Sequence, residues 1–147
     1  MADTPAPALI GAQRVVLACE FAGDLHKADE SGLCQQLLKK ARRYTDLPVS
    51  LATKADLSLG RNMRQQADQL LLRVRGEARD AGHGRKTLAL EVTPVRLARP
   101  MGRMAPLKSS ASLVRVQDRW TLQGPIDAFA KLLGGSKRLR SPAVLDS

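Results

Sequence analysis

From Leu70 to Val92 the chain holds two stretches in which apolar and charged residues take turns. Leu70, Leu72 and Val74 are separated by Leu71, Arg73 and, after Val74, Arg75; further on, Leu88, Leu90 and Val92 are separated by Ala89 and Glu91. Successive side chains of an extended strand point to opposite sides, so this period of two calls for a sheet with one face buried and one face wet. The segment Asp80-Ala81-Gly82-His83-Gly84-Arg85 lies between the two stretches. Its two glycines suit a reversal that needs positive φ, and the pair reads as a β-hairpin.

The remaining elements are placed around that hairpin. Val15–Phe21 is a short apolar run and reads as a buried first strand. Asp29, Glu30 and Ser31 open a helix, with Leu33, Leu37, Leu38, Ala41 and Tyr44 at helical spacing and Lys39, Lys40, Arg42 and Arg43 in its last turns, before Pro48 ends it. Val49–Thr53 reads as a second strand that Leu57 and Leu59 extend after a kink, and residues 61–66 read as a polar loop. The strand containing Leu88 continues past Pro94 through Val95 and Leu97, as an edge or a bulge, and residues 99–106 form a loop. A third alternating strand is expected from Leu113 to Leu122, with Val114, Val116, Trp120 and Leu122 inward and Arg115, Gln117, Arg119 and Thr121 outward. Gly124-Pro125 starts a final helix that buries Ile126, Phe129, Ala130, Leu132 and Leu133, and Gly134-Gly135 stops it. The order β-α-β-β-β-β-α describes an α+β fold, a two-layer sandwich on an antiparallel sheet of about four to five strands. Residues 1–8 read as a disordered segment, 9–134 as one domain and 135–147 as a flexible basic tail.

Charge points to a class of partner. The chain carries 24 Lys and Arg against 14 Asp and Glu, a net charge of +10, which attracts polyanions: nucleic acid, anionic envelope components or an acidic protein. The expected wet face of the sheet carries Arg73, Arg75, Arg115 and Arg119, four guanidiniums able to grip phosphates or carboxylates in pairs of hydrogen bonds. The plainer reading is a solvated face partly neutralised by Glu77, Glu91 and Asp118. Lys39, Lys40, Arg42 and Arg43 form a second basic cluster, which also serves simply to offset the negative end of the helix dipole. The aromatic residues are Phe21, Tyr44, Trp120 and Phe129. Trp120 and Phe129 fall on apolar faces, which disfavours the base stacking used in sequence-specific RNA recognition and leaves backbone binding open.

The two cysteines bear on compartment. Cys19 in the first strand and Cys34 near the start of the first helix lie on adjacent elements, within reach of a disulfide that would imply an oxidising compartment; two buried thiols are the other possibility. Cys34 also sits where a helix N-terminus lowers a thiol pKa, with His26 nearby in sequence, but no third orienting group accompanies them. Cys19, His26, Cys34 and His83 do not show the close-pair spacing of a zinc site, so neither a metal nor a cofactor is expected. The acidic residues are scattered, and no phosphate loop or nucleophile elbow is present. No apolar run approaches the ~20 residues of a membrane helix. The stretch Ala2–Ala8 suits the new terminus left by a removed signal peptide, and equally a linker or an ordinary disordered N-terminus. The sequence thus leads to a non-enzymatic binding or accessory domain exported to the bacterial periplasm, with Cys19 and Cys34 bridged and a basic surface for an anionic envelope component or partner protein. The competing reading is a cytosolic nucleic-acid-binding protein that contacts phosphates through the arginine face. A thiol enzyme using Cys34 comes third.

Overall fold

A computed structural model describes residues 11–53, 69–96 and 105–134. The readings made for 1–8, for Leu57, Leu59 and 61–66, for Leu97 and most of the loop after it, and for the tail from 135 lie outside the described residues. The chain runs β1 (Arg14–Gly23), α1 (Lys27–Arg42), β2 (Val49–Leu51), β3 (Gln69–Gly82), β4 (Arg85–Val95), β5 (Leu107–Val116), β6 (Arg119–Gln123) and α2 (Asp127–Leu133). The six strands form one sheet in the order β2-β1-β3-β4-β5-β6, curled into a half-barrel around the two helices. The α+β class holds, but the sheet has six strands among the described residues where about four to five were expected, and it is mixed, not antiparallel: β1 runs parallel to both β2 and β3.

The position of β1 explains its composition. Flanked by β2 and β3, it buries consecutive residues on opposite faces, Val15, Val16 and Leu17. Parallel strands covered on both sides are apolar without alternation for this reason. Further along, β1, β3 and β4 alternate as the period of two requires. Leu70, Leu72, Val74 and Ala78 on β3 and Leu88, Leu90 and Val92 on β4 join one core cluster with Leu33, Leu37, Leu38 and Ala41 of α1 and Ile126, Phe129, Leu132 and Leu133 at α2. Gly76 lies in the same inward row, and the Phe21 ring occupies the space above it; a Cβ there would stand 2.9 Å from that ring and 3.1 Å from Leu88. The β3–β4 hairpin turns at His83-Gly84, with positive φ at Gly82 (81°), His83 (54°) and Gly84 (71°).

The expected single strand from Leu113 to Leu122 is two strands. Gln117 and Asp118 both adopt positive φ, 51° and 65°, and reverse the chain so that Val116 pairs with Arg119 and Arg115 with Trp120. A two-residue turn pairs an odd position with an even one, so the inward set switches parity across it. Ala111 and Leu113 are buried on β5 and Leu122 on β6, while Val116, expected inward, is 48% exposed and Val114 points the same way. The missed turn has no glycine or asparagine to announce it.

α1 binds the far edge of the sheet directly. The side-chain amide of Gln36 donates to the Trp120 carbonyl at 2.8 Å and accepts from the Leu122 N–H at 2.7 Å, and Lys40 Nζ donates to the Gly124 carbonyl at 2.8 Å. On the opposite side, Arg42 donates to the Val49 carbonyl through Nε and Nη2, at 3.1 and 2.9 Å. The helix therefore spans the mouth of the half-barrel, from β2 to β6. α2 is anchored from the sheet, where the Ser109 hydroxyl accepts the Ala128 N–H at 2.8 Å.

Candidate functional site

The switch of parity across the β5–β6 turn decides which cations meet. Lys86 pairs with Leu113 across β4–β5, and Arg115 pairs with Trp120 across β5–β6. All four side chains share the helix-facing side of the sheet, at the end beyond the core. Lys86 Nζ lies 4.8 Å from the centre of the Trp120 ring and the Arg115 guanidinium 5.5 Å from it. Both distances are within the range of cation–π attraction. Asp24, Leu25 and His26, at the entry to α1, complete the walls of a cavity of about 420 Å³ with Lys86, Arg115 and Trp120.

Asp24 holds the opposite wall in place. Its N–H donates to the Ala78 carbonyl at 2.7 Å and its Oδ2 accepts the Asp80 N–H at 3.1 Å. The inward side of Trp120 packs against the core cluster. Arg115 pairs with Asp118 at 3.7 Å, but the two side chains are 47% and 96% exposed, so water competes for that contact and a ligand can displace it. The arrangement offers a flat apolar surface beside two cations with free hydrogen-bonding capacity. It suits a ligand with a planar or C–H-bearing face and a negative group next to it.

The expected arginine face is not assembled as four neighbours. Arg73 and Arg75 do share the solvent side of β3. Arg119 is on that side too, but on β6, with β4 and β5 between. Arg115 is on the other side, over Trp120. Arg75 stands in a row of alternating sign, Glu20–Arg75–Glu91–Lys108, formed by residues in register on β1, β3, β4 and β5. Its Nε is 4.0 Å from Glu20 Oε1, in a pair so exposed that it adds little stability. In the basic helix end, Lys40 and Arg42 are engaged in the hydrogen bonds to Gly124 and Val49, whereas the Lys39 side chain is exposed. Burial, and next the charge of Arg43, hold the Lys40 pKa below its ordinary value. Sequence reasoning missed Lys86 and the pairing of Arg115 with Trp120. The alternation that turns Leu88 and Leu90 inward also places Lys86 on that side and could have found it, whereas the Gln117-Asp118 turn that brings Trp120 beside Arg115 is announced by no glycine or asparagine.

Cys19 and Cys34 form a disulfide with 5.9 Å between their Cα atoms. It ties β1 to α1 across 15 residues. With its sulfur in the bridge, Cys34 carries no thiolate, which removes the thiol-enzyme reading for this state of the protein. His26 is the N-cap residue of α1, where its side chain makes no capping hydrogen bond. Among the described residues, no three His, Cys, Asp or Glu side chains are grouped as a metal site would require, and no helix is long and apolar enough to cross a membrane.

No protein-family model matches the chain, and no curated protein matches its sequence. Among solved structures, it is similar to a PelC dodecamer from Paraburkholderia phytofirmans, with a TM-score of 0.49 at 13% identity over 90% of this chain and 95% of that one. A form of that dodecamer in which one leucine is replaced by methionine gives 0.45 at 14% identity, covering 93% of each chain. A putative neuraminyllactose-binding hemagglutinin homolog from Helicobacter pylori gives 0.40 at 14% identity, over 99% of this chain and 90% of that one. Nothing about this chain's ligand or assembly follows from similarities of that size.

Proposed function

We propose that this protein is an exported, non-catalytic binding domain that takes an anionic component of the cell envelope on the ledge formed by Trp120, Lys86 and Arg115. The observation that carries the reading is the placement of two cations beside the half-buried face of Trp120, in an open cavity at the end of the sheet. An anionic glycan has the complementary chemistry: its sugar C–H face stacks on the indole while its carboxylates pair with Lys86 and Arg115. The disulfide supports export, because such bonds persist in oxidising compartments and are rare in the cytosol. The net charge of +10 would draw a polyanion toward the ledge. The sequence offers no catalytic motif that would turn binding into turnover.

The same ring favours one second reading. An indole between two cations can also stack a base of single-stranded nucleic acid while the cations meet its phosphates. One titration separates the two. Trp120 is the only tryptophan in the chain, so its fluorescence reports on this cavity alone. A polyuronate oligosaccharide is expected to shift the Trp120 emission, and Lys86→Ala or Arg115→Ala to weaken that binding about tenfold for one lost charge-assisted contact. Arg73→Ala should leave it unchanged. A shift caused by a single-stranded oligonucleotide and not by the polyuronate would select the second reading. Silence toward both would refute the ledge as a binding site.

A further inference from the structure

The two edges of the sheet are treated differently. At β6, the outward main-chain groups of Trp120 and Leu122 are met by Gln36, which fills the edge as a neighbouring strand would. At the other edge, β2 covers β1 only from Val15 to Leu17. The bonds from the Val15 N–H to the Pro48 carbonyl and from the Ala52 N–H to the Leu17 carbonyl show that odd-numbered residues of β1 face this edge. The N–H and C=O groups of Cys19 and Phe21 therefore face it as well. Among the described residues, neither makes a hydrogen bond there. Beside this open stretch lies a cavity of about 510 Å³, lined by Phe21, the Cys19–Cys34 bridge and Leu51, and by Lys27 and Glu30 of α1.

We propose that this edge pairs with the same edge of a second copy of the chain, antiparallel, across a two-fold axis at Phe21. Open edges are templates for strand pairing, and a two-fold contact must be self-complementary. Two features of the edge meet that condition. With the axis at Phe21, each Glu20 lies opposite an Ala22 of the other copy, so like charges do not face each other, and each Phe21 ring, leaning over its own Gly76, leaves the edge clear for main-chain pairing. Lys27 and Glu30 carry opposite charges on the wall of the groove. The axis brings the Lys27 of each copy toward the Glu30 of the other. The union makes one continuous sheet whose two outer ends are both closed by Gln36. It places the Trp120 ledges at the far ends, and it does not depend on what they bind.

The test is charge reversal followed by sedimentation velocity. The wild-type protein should sediment with twice the chain mass of 15.9 kDa at high micromolar concentration and dissociate on dilution. Lys27→Glu and Glu30→Lys should each weaken the dimer about tenfold by replacing two attractive pairs with repulsive ones. An equimolar mixture of the two variants, or the double variant K27E/E30K, should restore it. In parallel, amide exchange at Cys19 and Phe21 should slow as protein concentration rises. A monomer at every concentration, a dimer indifferent to both reversals, or exchange at these amides that ignores concentration would each overturn the proposal.

Discussion

Gln36 on α1 and Trp120 on β6 stand 84 positions apart in sequence, and the Gln36 amide nitrogen donates to the Trp120 carbonyl at 2.8 Å while its oxygen takes the N–H of Leu122 at 2.7 Å. One side chain thus supplies the donor and acceptor that a seventh strand would have supplied. The helix is held against the edge strand, and the backbone under the Trp120 ledge is held with it. Gln36→Leu should destabilise the protein by about 1–3 kcal/mol, the cost of two part-buried hydrogen bonds with their backbone partners left unmet. Gln36→Glu keeps the acceptor only and should fall between. Urea unfolding measures the loss, and faster amide exchange at Leu122 locates it.

The bridge between Cys19 and Cys34 closes a loop of 15 residues. On the chain-entropy account, such a loop stabilises the fold by about 3 kcal/mol. The double variant Cys19→Ser/Cys34→Ser should lower the urea midpoint accordingly. A loss well under ~1 kcal/mol would mean that packing of α1 alone already orders this loop.

Gly76 is a packing position. Any Cβ there meets the Phe21 ring at 2.9 Å. Gly76→Ala should cost about 1–3 kcal/mol by overpacking. Phe21→Leu should recover part of that loss when the two changes are combined. A double-mutant cycle with no coupling would show that the ring is free to move aside.

Asp118 adopts φ of 65° in the β5–β6 turn, and Gln117 adopts 51°. L-residues other than glycine are strained in this region by about 1–2 kcal/mol. Asp118→Gly should therefore raise stability by about 1 kcal/mol, less the small contribution of the exposed pair with Arg115. Thermal unfolding checks the sign. A lower melting temperature would indicate that the Asp118 side chain contributes more to the turn than its backbone strain costs.

Lys40 should lose its proton below the ordinary value of 10.5, first because burial disfavours its charge and second because Arg43 repels it. The sign of the effect on stability follows by linkage. Between the folded and unfolded values the unfolded chain binds more protons, so stability from this group rises with pH through that window, and the penalty is fully present below it. Arg43→Gln removes one of the two causes and should move the midpoint back up. The pH titration of the Lys40 ε-methylene resonance follows both values.

Local chemistry carried much of the architecture. The alternation around Leu72 and Leu90 placed Arg73 and Arg75 on the wet side, the Gly82 and Gly84 pair located the β3–β4 turn, and the spacing of Leu33, Leu37, Leu38 and Ala41 selected the buried side of α1. These features arise from backbone sterics and from periods of two and 3.6, which any stretch of sequence displays by itself. The adjacency of Cys19 and Cys34 was legible for a similar reason, since they lie on consecutive elements. Partnership between distant strands is another matter. β1 could reveal that it was buried but not that it ran parallel between β2 and β3, because that depends on which strands it met. The reversal at Gln117-Asp118 was hidden because Gln disfavours positive φ and Asp only tolerates it. Pairing along β5 and β6, with Gln36 on the outer edge, holds both residues there. That one turn sent Arg115 to the side of Trp120 and Lys86. The candidate binding site, and with it the division of its carrier into β5 and β6, was therefore decided by tertiary pairing, whose energy exceeds the local preference of two turn residues, while α1 and the β3–β4 hairpin were determined by the sequence alone.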